Sequence, residues 1–321
     1  ACALLFKVCT VFGLTSCERD GDIDVVEPID SIDGHENNGP IKGIVDENGE
    51  LPKYSVVAPI VGENGEEPPI IDNEGAPDVI ANRLNVYLED DNADLNQWAK
   101  DFNAAYPGED YEIIGCDTYV KFIQIRIPEN ERDKIREELP SKLPRQRFFV
   151  IDESIMSSFG KYKSNSDTSL NGWHLDATRA KQAWEITKGS NDVVVAIVDD
   201  GIDASHPIFD NRFYKAYNVF TRDRKLSFGE GHGTHVAGLA VGNGNFLSEG
   251  AAGIAQNVKI RPVQVFDNGF CTLSSIASGI MYAIHNGAHV VNISIGPSFE
   301  GLDQMPYDQQ RQLAQQYFKN E

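Results

Sequence analysis

The chain has no run of 18 or more apolar residues, so none of its segments is expected to cross a membrane as a helix. Basic residues are also scarce: 28 Lys and Arg stand against 49 Asp and Glu, which gives a formal net charge of −21. Charge of that sign repels phosphate groups and argues against nucleic acid as a partner. The length of 321 residues predicts about two domains.

Cysteine is sparse as well. The count of five is odd, and the spacing matches neither a set of zinc ligands nor a disulfide framework. We therefore expect Cys116 and Cys271 to be free, buried small residues. The remaining three cysteines lie in the first 17 residues.

Residues 1–17 contain a short apolar stretch, LLFKVCTVFGLTSC, which ends at Cys17. It resembles a bacterial lipoprotein signal, in which the cysteine is lipidated and becomes the mature N-terminus. Such a stretch is a targeting segment and not part of a fold. We expect an exported protein, in the cell envelope or outside the cell, that meets the membrane only through a lipid on Cys17. A truncated ordinary signal peptide is the alternative.

Residues 18–80 are dominated by acidic residues, Gly, Pro and Asn. Between Glu18 and Asp78 there are 17 acidic and three basic residues. A segment of this composition buries too little apolar surface to offset the entropy lost on ordering. We predict an acidic, disordered linker.

Residues 81–156 alternate between strand and helix patterns. Strands are predicted at NRLNVYLE, DYEIIG, YVKFIQIRIP and RQRFFVIDESI, and helices at ADLNQWAKDFNAAYPG and NERDKIREELPSKL, with Asn130 as the N-cap of the second helix. The order βαββαβ is the split-βαβ arrangement of α+β ferredoxin-like domains. Residues 157–171 are polar and Ser-rich, which indicates an exposed connector of the kind that proteases cut.

Residues 172–321 alternate strands and helices again. DVVVAIVDDG, VKIRPVQVF and AHVVNISIG predict buried parallel strands, and GHGTHVAGLAVG, LSSIASGIMYAIHNG and YDQQRQLAQQYFKNE predict helices. In the second of these helices, Leu273, Ile276, Ile280 and Ile284 are expected to share one face. The pattern predicts an α/β fold with a doubly wound parallel sheet.

Asp199 lies where the first of these strands ends, and polar groups at the carboxyl ends of parallel strands form the sites of such sheets. An ordinary turn aspartate is an equal alternative at this stage, because Asp-Gly is a common turn pair. We assign the neighbouring Asp200 to that turn.

His232 is predicted in the first turn of its helix, between Gly231 and Gly233. The positive end of a helix disfavours a protonated imidazole, and a neutral imidazole is what a general base needs. His232 and His235 are spaced so that both could face one metal ion, but the H-E-x-x-H signature is absent. We predict no metal and a structural role for His235.

Two of these motifs, VAIVDDGIDASHP and GHGTHVAG, resemble the Asp and His motifs of subtilisin-like serine proteases (subtilases). GIAQNVKIRPVQVF and HVVNISIG resemble the strands that follow in that family, so the resemblance covers about Gly172 to Gly296. It implies a subtilisin-like catalytic domain, incomplete in this chain. It also implies that residues 81–156 are a propeptide that helps the protease fold and then inhibits it as an intramolecular partner.

The resemblance implies a serine endopeptidase acting on polypeptides, with Asp199 and His232 as two members of its catalytic triad. Ser294, Ile295 and Gly296 match the segment that lines the substrate groove, and the region of Cys271 matches the opposite edge of the groove. No cofactor is implied. We predict no calcium site from this chain, and a structural calcium ion in the full-length protein is left open.

The family's nucleophilic serine lies in a Gly-Thr-Ser-Met-Ala type of motif, and no serine of this chain has that context. The family's oxyanion asparagine is also unmatched. We therefore expect the chain to be the N-terminal part of a longer protein and to be inactive alone.

Two other functions stay open: a catalytically inactive binding protein on a subtilase scaffold, and a zinc hydrolase using His232 and His235. A complete gene without the serine motif would favour the first, and stoichiometric zinc the second.

Overall fold

The computed structural model describes residues 44–46, 49–62, 64–72, 77–90, 92–158, 172–246 and 251–297, together with residues 306, 308, 309, 311 and 312. Cys17, the first part of the predicted linker, most of the predicted connector and most of the last predicted helix lie outside the described residues. The chain forms two compact units. Glu66–Met156 belongs to the first, and Val57–Gly65 with Ser157–Ile295 forms the second. In the described part, no helix is long and apolar enough to span a bilayer.

The first unit is an antiparallel sheet with two helices. Its elements are β1 (Ile70–Ile71), β2 (Val79–Leu88), α1 (Leu95–Ala105), β3 (Glu112–Asp117), β4 (Phe122–Arg126), α2 (Arg132–Lys142) and β5 (Phe148–Ser158). The strands lie in the order β3-β4-β2-β5, with every neighbour antiparallel, and β1 pairs with the start of β2. From β2 onward, the predicted order βαββαβ is present.

Both helices of this unit pack on one face of the sheet. Leu84 and Val86 of β2 share a core with Trp98 of α1 and with Ile135 and Leu139 of α2. Burying large apolar side chains of this kind contributes about 1.5–3 kcal/mol each. The alternation of β2 and the helical spacing of α1 therefore account for this core.

The predicted N-cap of α2 is wrong. Asn130 lies inside a 3-10 turn, Glu129–Glu131, and α2 begins at Arg132 without a side-chain cap. The chain already turns directly after Pro128, whose fixed φ suits the start of a turn. Asp94, in contrast, caps α1 by accepting a hydrogen bond from the N–H of Gln97 at 3.0 Å.

The prediction of a solvated linker over residues 18–80 is wrong for much of its described part. Leu51 and Val56 are buried in the core of the first unit, and Val56 forms a β-bridge with Cys116. Val57, Ala58 and Ile60 are also buried. The acidic composition of the whole segment concealed a short apolar run, YSVVAPIV, that is long enough to pack.

Within the second unit, this apolar run is held by one carboxylate. Asp267 Oδ2 accepts hydrogen bonds from the backbone N–H groups of Ile60 and Val61, at 2.9 and 3.2 Å. Hydrogen bonds to a charged acceptor stabilise by about 1.5–3 kcal/mol. Asp267 therefore fixes the backbone of residues 60 and 61.

We predict that Asp267→Ala makes the amide hydrogens of Ile60 and Val61 exchange about ten- to a hundredfold faster, because both lose their charged acceptor. Hydrogen exchange followed by NMR or mass spectrometry measures this. The amide of Gly65 donates to the Gly62 carbonyl and serves as the internal control. Unchanged exchange at both positions would contradict the prediction.

The second unit is built on a parallel sheet. Its larger elements are β6 (Val194–Asp199), α5 (His232–Val241), β8 (Lys259–Gln264), α6 (Leu273–His285) and β11 (Val290–Ile293). Shorter ones are α3 (Trp173–Ala177), α4 (Ala180–Ala183), β7 (Tyr217–Asn218), β9 (Phe266–Asp267) and β10 (Phe270–Thr272). A further short strand, β12 (Ile295–Pro297), begins at the last residue of this unit. The strands lie in the order β11-β6-β8-β7, all parallel.

Helices cover both faces of this sheet. Val195 and Ile197 of β6 pack with Ala237 and Val241 of α5. On the other face, Gly279 of α6 lies against the side chains of Val198, Val263 and Val265. The sheet is therefore doubly wound, as the sequence predicts.

Two details of burial differ from the prediction. Ile284, expected on one face of α6 with Leu273 and Ile276, is 40% exposed, whereas Leu273 and Ile276 are buried, as are Gly279 and Ala283. Val290, at the start of a strand predicted to be buried, is 52% exposed. Among the described strands β11 pairs only with β6, so it is an edge of the described sheet.

Gly279 and Gly238 provide a matched pair of helix substitutions. A Cβ at Gly279 would lie 2.5 Å from Val265 Cγ1, whereas a Cβ at Gly238 would meet nothing within 4 Å. We expect Gly279→Ala to destabilise the chain by about 1–3 kcal/mol through overpacking. Gly238→Ala should stabilise it by about 0.5–1 kcal/mol through helix propensity. Denaturant unfolding measures both changes, and two equal effects would contradict the packing described here.

Candidate active site

The site lies at the carboxyl ends of β6 and β8. The chain leaves β6 through α5 on one face and leaves β8 through α6 on the other, so a crevice is expected between these two strand ends. Asp199 and Gln264, the last residues of the two strands, are paired across this point. The strand order therefore selects Asp199 as the residue at the mouth of the crevice.

Asp199 and His232 are in direct contact. His232 Nδ1 and Asp199 Oδ1 are 2.8 Å apart, and the two residues are only 8% and 1% exposed. Asp199 Oδ1 also accepts the N–H of Asp200 at 2.8 Å. Asp199 Oδ2 is buried and has no hydrogen-bond partner among the described residues. A rigid strand thus holds one carboxylate against one imidazole.

This contact determines the tautomer of a neutral His232. A carboxylate can only accept, so Nδ1 must carry the hydrogen and Nε2 must carry the lone pair. His232 is the first residue of α5, and Gly231 before it has a φ of 87°, which glycine adopts without strain. The arrangement is a carboxylate-oriented imidazole whose Nε2 can exchange a proton.

Asp200 does more than form the predicted turn. Its carboxylate accepts the backbone N–H groups of Glu230 at 2.9 Å, His232 at 3.2 Å and Gly233 at 2.7 Å. Burial and the nearby Asp199 carboxylate raise the pKa of Asp200, while the three N–H donors oppose that rise. Sequence reasoning missed this role because the partners lie 30 to 33 residues downstream.

Gln264 was also missed. Its Oε1 accepts the N–H of Ser227 at 2.8 Å, and its Nε2 donates to Ser227 Oγ at 2.7 Å. The side chain therefore ties the loop before the histidine to the end of β8. Nothing in the local sequence distinguishes this glutamine from an ordinary polar residue at a strand end.

The predicted groove residues follow β11 at the same end of the sheet. Ile293 pairs with Val198, so Ser294 continues from the strand end next to Asp199. Ser294 Oγ accepts a hydrogen bond from Asn292 Nδ2 at 3.0 Å. Ile295 is buried, and Ile295 and Gly296 begin β12.

The opposite edge of the predicted groove contains β10. Cys271 in this strand is fully buried and forms no disulfide among the described residues, as is the case for Cys116 in β3, so the prediction for both cysteines is confirmed. Cys271 Sγ lies 3.6 Å from Ser275 Oγ in the first turn of α6. The thiol is a packing element of this edge.

His235 lies one turn after His232 and is exposed. Within the ranges that the structure describes, no group of three or more His, Cys, Asp or Glu side chains is arranged to hold a metal ion. The described residues therefore offer no donor set for the zinc alternative.

Comparison with known proteins gives a consistent result. Residues 190–320 match the profile of the Subtilase family. The chain is 40% identical over 134 residues to the thermophilic serine proteinase of Bacillus sp. (strain AK1), which covers 41% of this chain and 33% of that protein. It is 40% identical over 119 residues to thermitase of Thermoactinomyces vulgaris, covering 37% of this chain and 42% of that protein. The names of two further relatives describe extracellular proteases.

The crystal structure of fervidolysin from Fervidobacterium pennivorans is similar in fold, with a TM-score of 0.50 and 21% identity. The similarity covers 76% of this chain and 38% of that one. It therefore reaches well beyond residues 190–320 and includes part of the antiparallel unit. The chain spans about a third to two fifths of the two relatives that it matches at 40% identity.

Proposed function

We propose that the protein is a serine endopeptidase, because residues 190–320 match the Subtilase family and the relatives that are 40% identical are serine proteases by name or family. The observation that supports the assignment is the 2.8 Å contact between Asp199 Oδ1 and His232 Nδ1 at the mouth of the sheet crevice. The contact joins the two residues that the family's Asp and His motifs single out. The activity is proposed for the protein as a whole, with Asp199 and His232 as two of its catalytic groups.

In the proposed mechanism, His232 Nε2 removes the proton from a serine hydroxyl as the oxygen attacks the peptide carbonyl. Asp199 keeps Nδ1 protonated and stabilises the imidazolium that forms. The imidazolium then returns the proton to the leaving amine. We assign the nucleophile to no serine of this chain, since none stands in the family's motif.

The proposed substrate is an extended polypeptide. Ser294, Ile295 and Gly296 leave the sheet beside the end of β6, where backbone N–H and C=O groups can pair with a peptide as an added strand. The Cys271 edge would form the other wall. No cofactor is part of the proposal.

We further propose that the antiparallel unit is a propeptide that inhibits its own protease. The unit has its own core and a ferredoxin-like strand order, and it precedes the subtilase segment in the chain. Parallel sheets depend on non-local pairing and fold slowly, so an upstream helper has a physical purpose. The cut is proposed to fall somewhere from Ile155 to Ser169.

The first test is self-processing of the full-length protein. We expect Asp199→Asn and His232→Ala to leave the precursor uncut, because the former removes the tautomer control and the latter the general base. Loss of the carboxylate alone lowers turnover by about 10⁴ in a triad enzyme. Gel electrophoresis with N-terminal sequencing of the products measures the cut.

His235→Ala is the matched control, because it removes an exposed imidazole from the same helix and should process normally. Normal processing by both the Asp199 and the His232 variants would refute the assignment. A mature wild-type protein that neither cleaves polypeptides nor reacts with a serine-directed fluorophosphonate would instead favour the inactive-scaffold alternative.

The proposed location is outside the cytoplasm, on a lipid anchor at Cys17. The signal-like segment that ends at Cys17 motivates the anchor, and the extracellular relatives support export. In a bacterial host, Cys17→Ser should move the exported protein from the membrane fraction to the soluble fraction. Fractionation followed by immunoblotting measures this, and an unchanged membrane fraction would contradict the anchor.

A further inference from the structure

Asp200 is a buried carboxylate that the proposed mechanism does not use. The residue is only 5% exposed, and it directly follows Asp199, which is also buried. Burying two neighbouring carboxylates is unfavourable unless each is compensated by hydrogen bonds or charge. An aspartate that only formed the Asp-Gly turn would lie at the surface without this penalty.

The compensation comes from residues 229–233, which we call the histidine segment. Asp200 Oδ2 accepts the N–H groups of Glu230 and His232, and Oδ1 accepts that of Gly233. These donors surround the start of α5, whose own N-cap residue, Gly231, has no side chain to cap the helix. Asp200 thus caps α5 from the end of β6 and fixes the backbone that carries the His232 imidazole.

The glycines of the histidine segment are shaped to admit this carboxylate. A Cβ at Gly229 would lie 2.7 Å from Asp200 Cγ and Oδ2, and a Cβ at Gly233 would lie 2.9 Å from Asp200 Oδ1. Side chains at either position would therefore push the carboxylate away. Gly229 and Gly233 therefore both pack closely against Asp200, although they are distant from it in sequence.

We propose that Asp200 is a positioning residue for catalysis: by clamping the backbone of residues 230–233 it holds the His232 imidazole against Asp199. The inference rests on the proposed protease function. Asp199 determines which ring nitrogen of His232 carries the hydrogen, and Asp200 fixes the position of the ring through its backbone. Both carboxylates come from the end of one strand, so the clamp and the orienting group move together.

The first test measures steady-state hydrolysis of a peptide substrate by the full-length protein. Asp200→Ala should lower kcat by about 100-fold, because a displacement of about 1 Å in a catalytic group has an effect of that order. KM should change less than about twofold, since the proposed groove residues, Ser294 to Gly296, follow β11, whereas the Asp200 carboxylate accepts its described hydrogen bonds from Glu230, His232 and Gly233. Asp200→Asn keeps one acceptor oxygen and should fall between Ala and wild type.

Two further variants separate geometry from charge. Asp200→Glu keeps the charge but is one methylene longer, and the close approach of Gly229 and Gly233 leaves no space for it, so kcat should again fall. Asp203→Ala removes a carboxylate from the loop after β6, and kcat should stay unchanged because, among the described residues, this carboxylate accepts its hydrogen bonds from Ser205. Full kcat in folded Asp200→Ala, or a change in KM alone, would overturn the proposal.

A second readout needs no catalysis. In the 321-residue chain with ¹⁵N-labelled histidine, the hydrogen on His232 Nδ1 should give a low-field NMR signal, as expected for its contact with a carboxylate. This signal should weaken or vanish in Asp200→Asn and persist in Asp203→Ala. An unchanged signal in Asp200→Asn would overturn the clamp. A wild-type protein that shows the signal and the clamp but hydrolyses nothing would overturn the protease function alone.

Discussion

Two adjacent carboxylates at the end of β6 are the constraint on which the site depends. Asp199 and Asp200 both lie in a low-dielectric environment, where an uncompensated charge costs several kcal/mol. Their hydrogen-bond donors all come from one loop and the helix start that follows it, apart from the Asp200 N–H that Asp199 accepts. The two carboxylates can therefore stay buried only while the histidine segment supplies these donors. The same hydrogen bonds hold the histidine segment in place.

Close backbone approach is the second condition for this arrangement. Gly201 has a φ of 117°, and a Cβ there would collide with the Ser227 carbonyl oxygen. Gly233 similarly has no room for a Cβ beside the Gly201 carbonyl oxygen. Gln264 completes the contact by binding the backbone and hydroxyl of Ser227. The turn after β6 and the loop before α5 are thus in contact over several residues, and this contact positions the His232 imidazole.

The sequence pattern within each segment was sufficient to predict the helices and strands. It did not predict which distant segments pack against one another. The alternation in β2, the apolar run of β6 and the helical spacing of α1 predicted the two sheets and the βαββαβ order, because each signal lies within one element. The role of Asp200, the burial of Ile60 and the exposure of Val290 depend on which distant segments pack together. Composition averaged over residues 18–80 was misleading for the same reason, since eight apolar-rich positions were outweighed by their acidic neighbours.

The site is consequently a property of strand order as much as of its motifs. The end of β6 contributes both carboxylates, the start of α5 contributes the imidazole, and the chain after β11 contributes the proposed groove wall. These parts are neighbours because β6 lies between β8 and β11 and is in register with both, with Asp199 opposite Gln264 and Val198 opposite Ile293. A shift of one residue in the register of β6 would turn its side chains to the opposite face. Asp199 would then lose its contact with the His232 imidazole, so the proposed chemistry requires this sheet register.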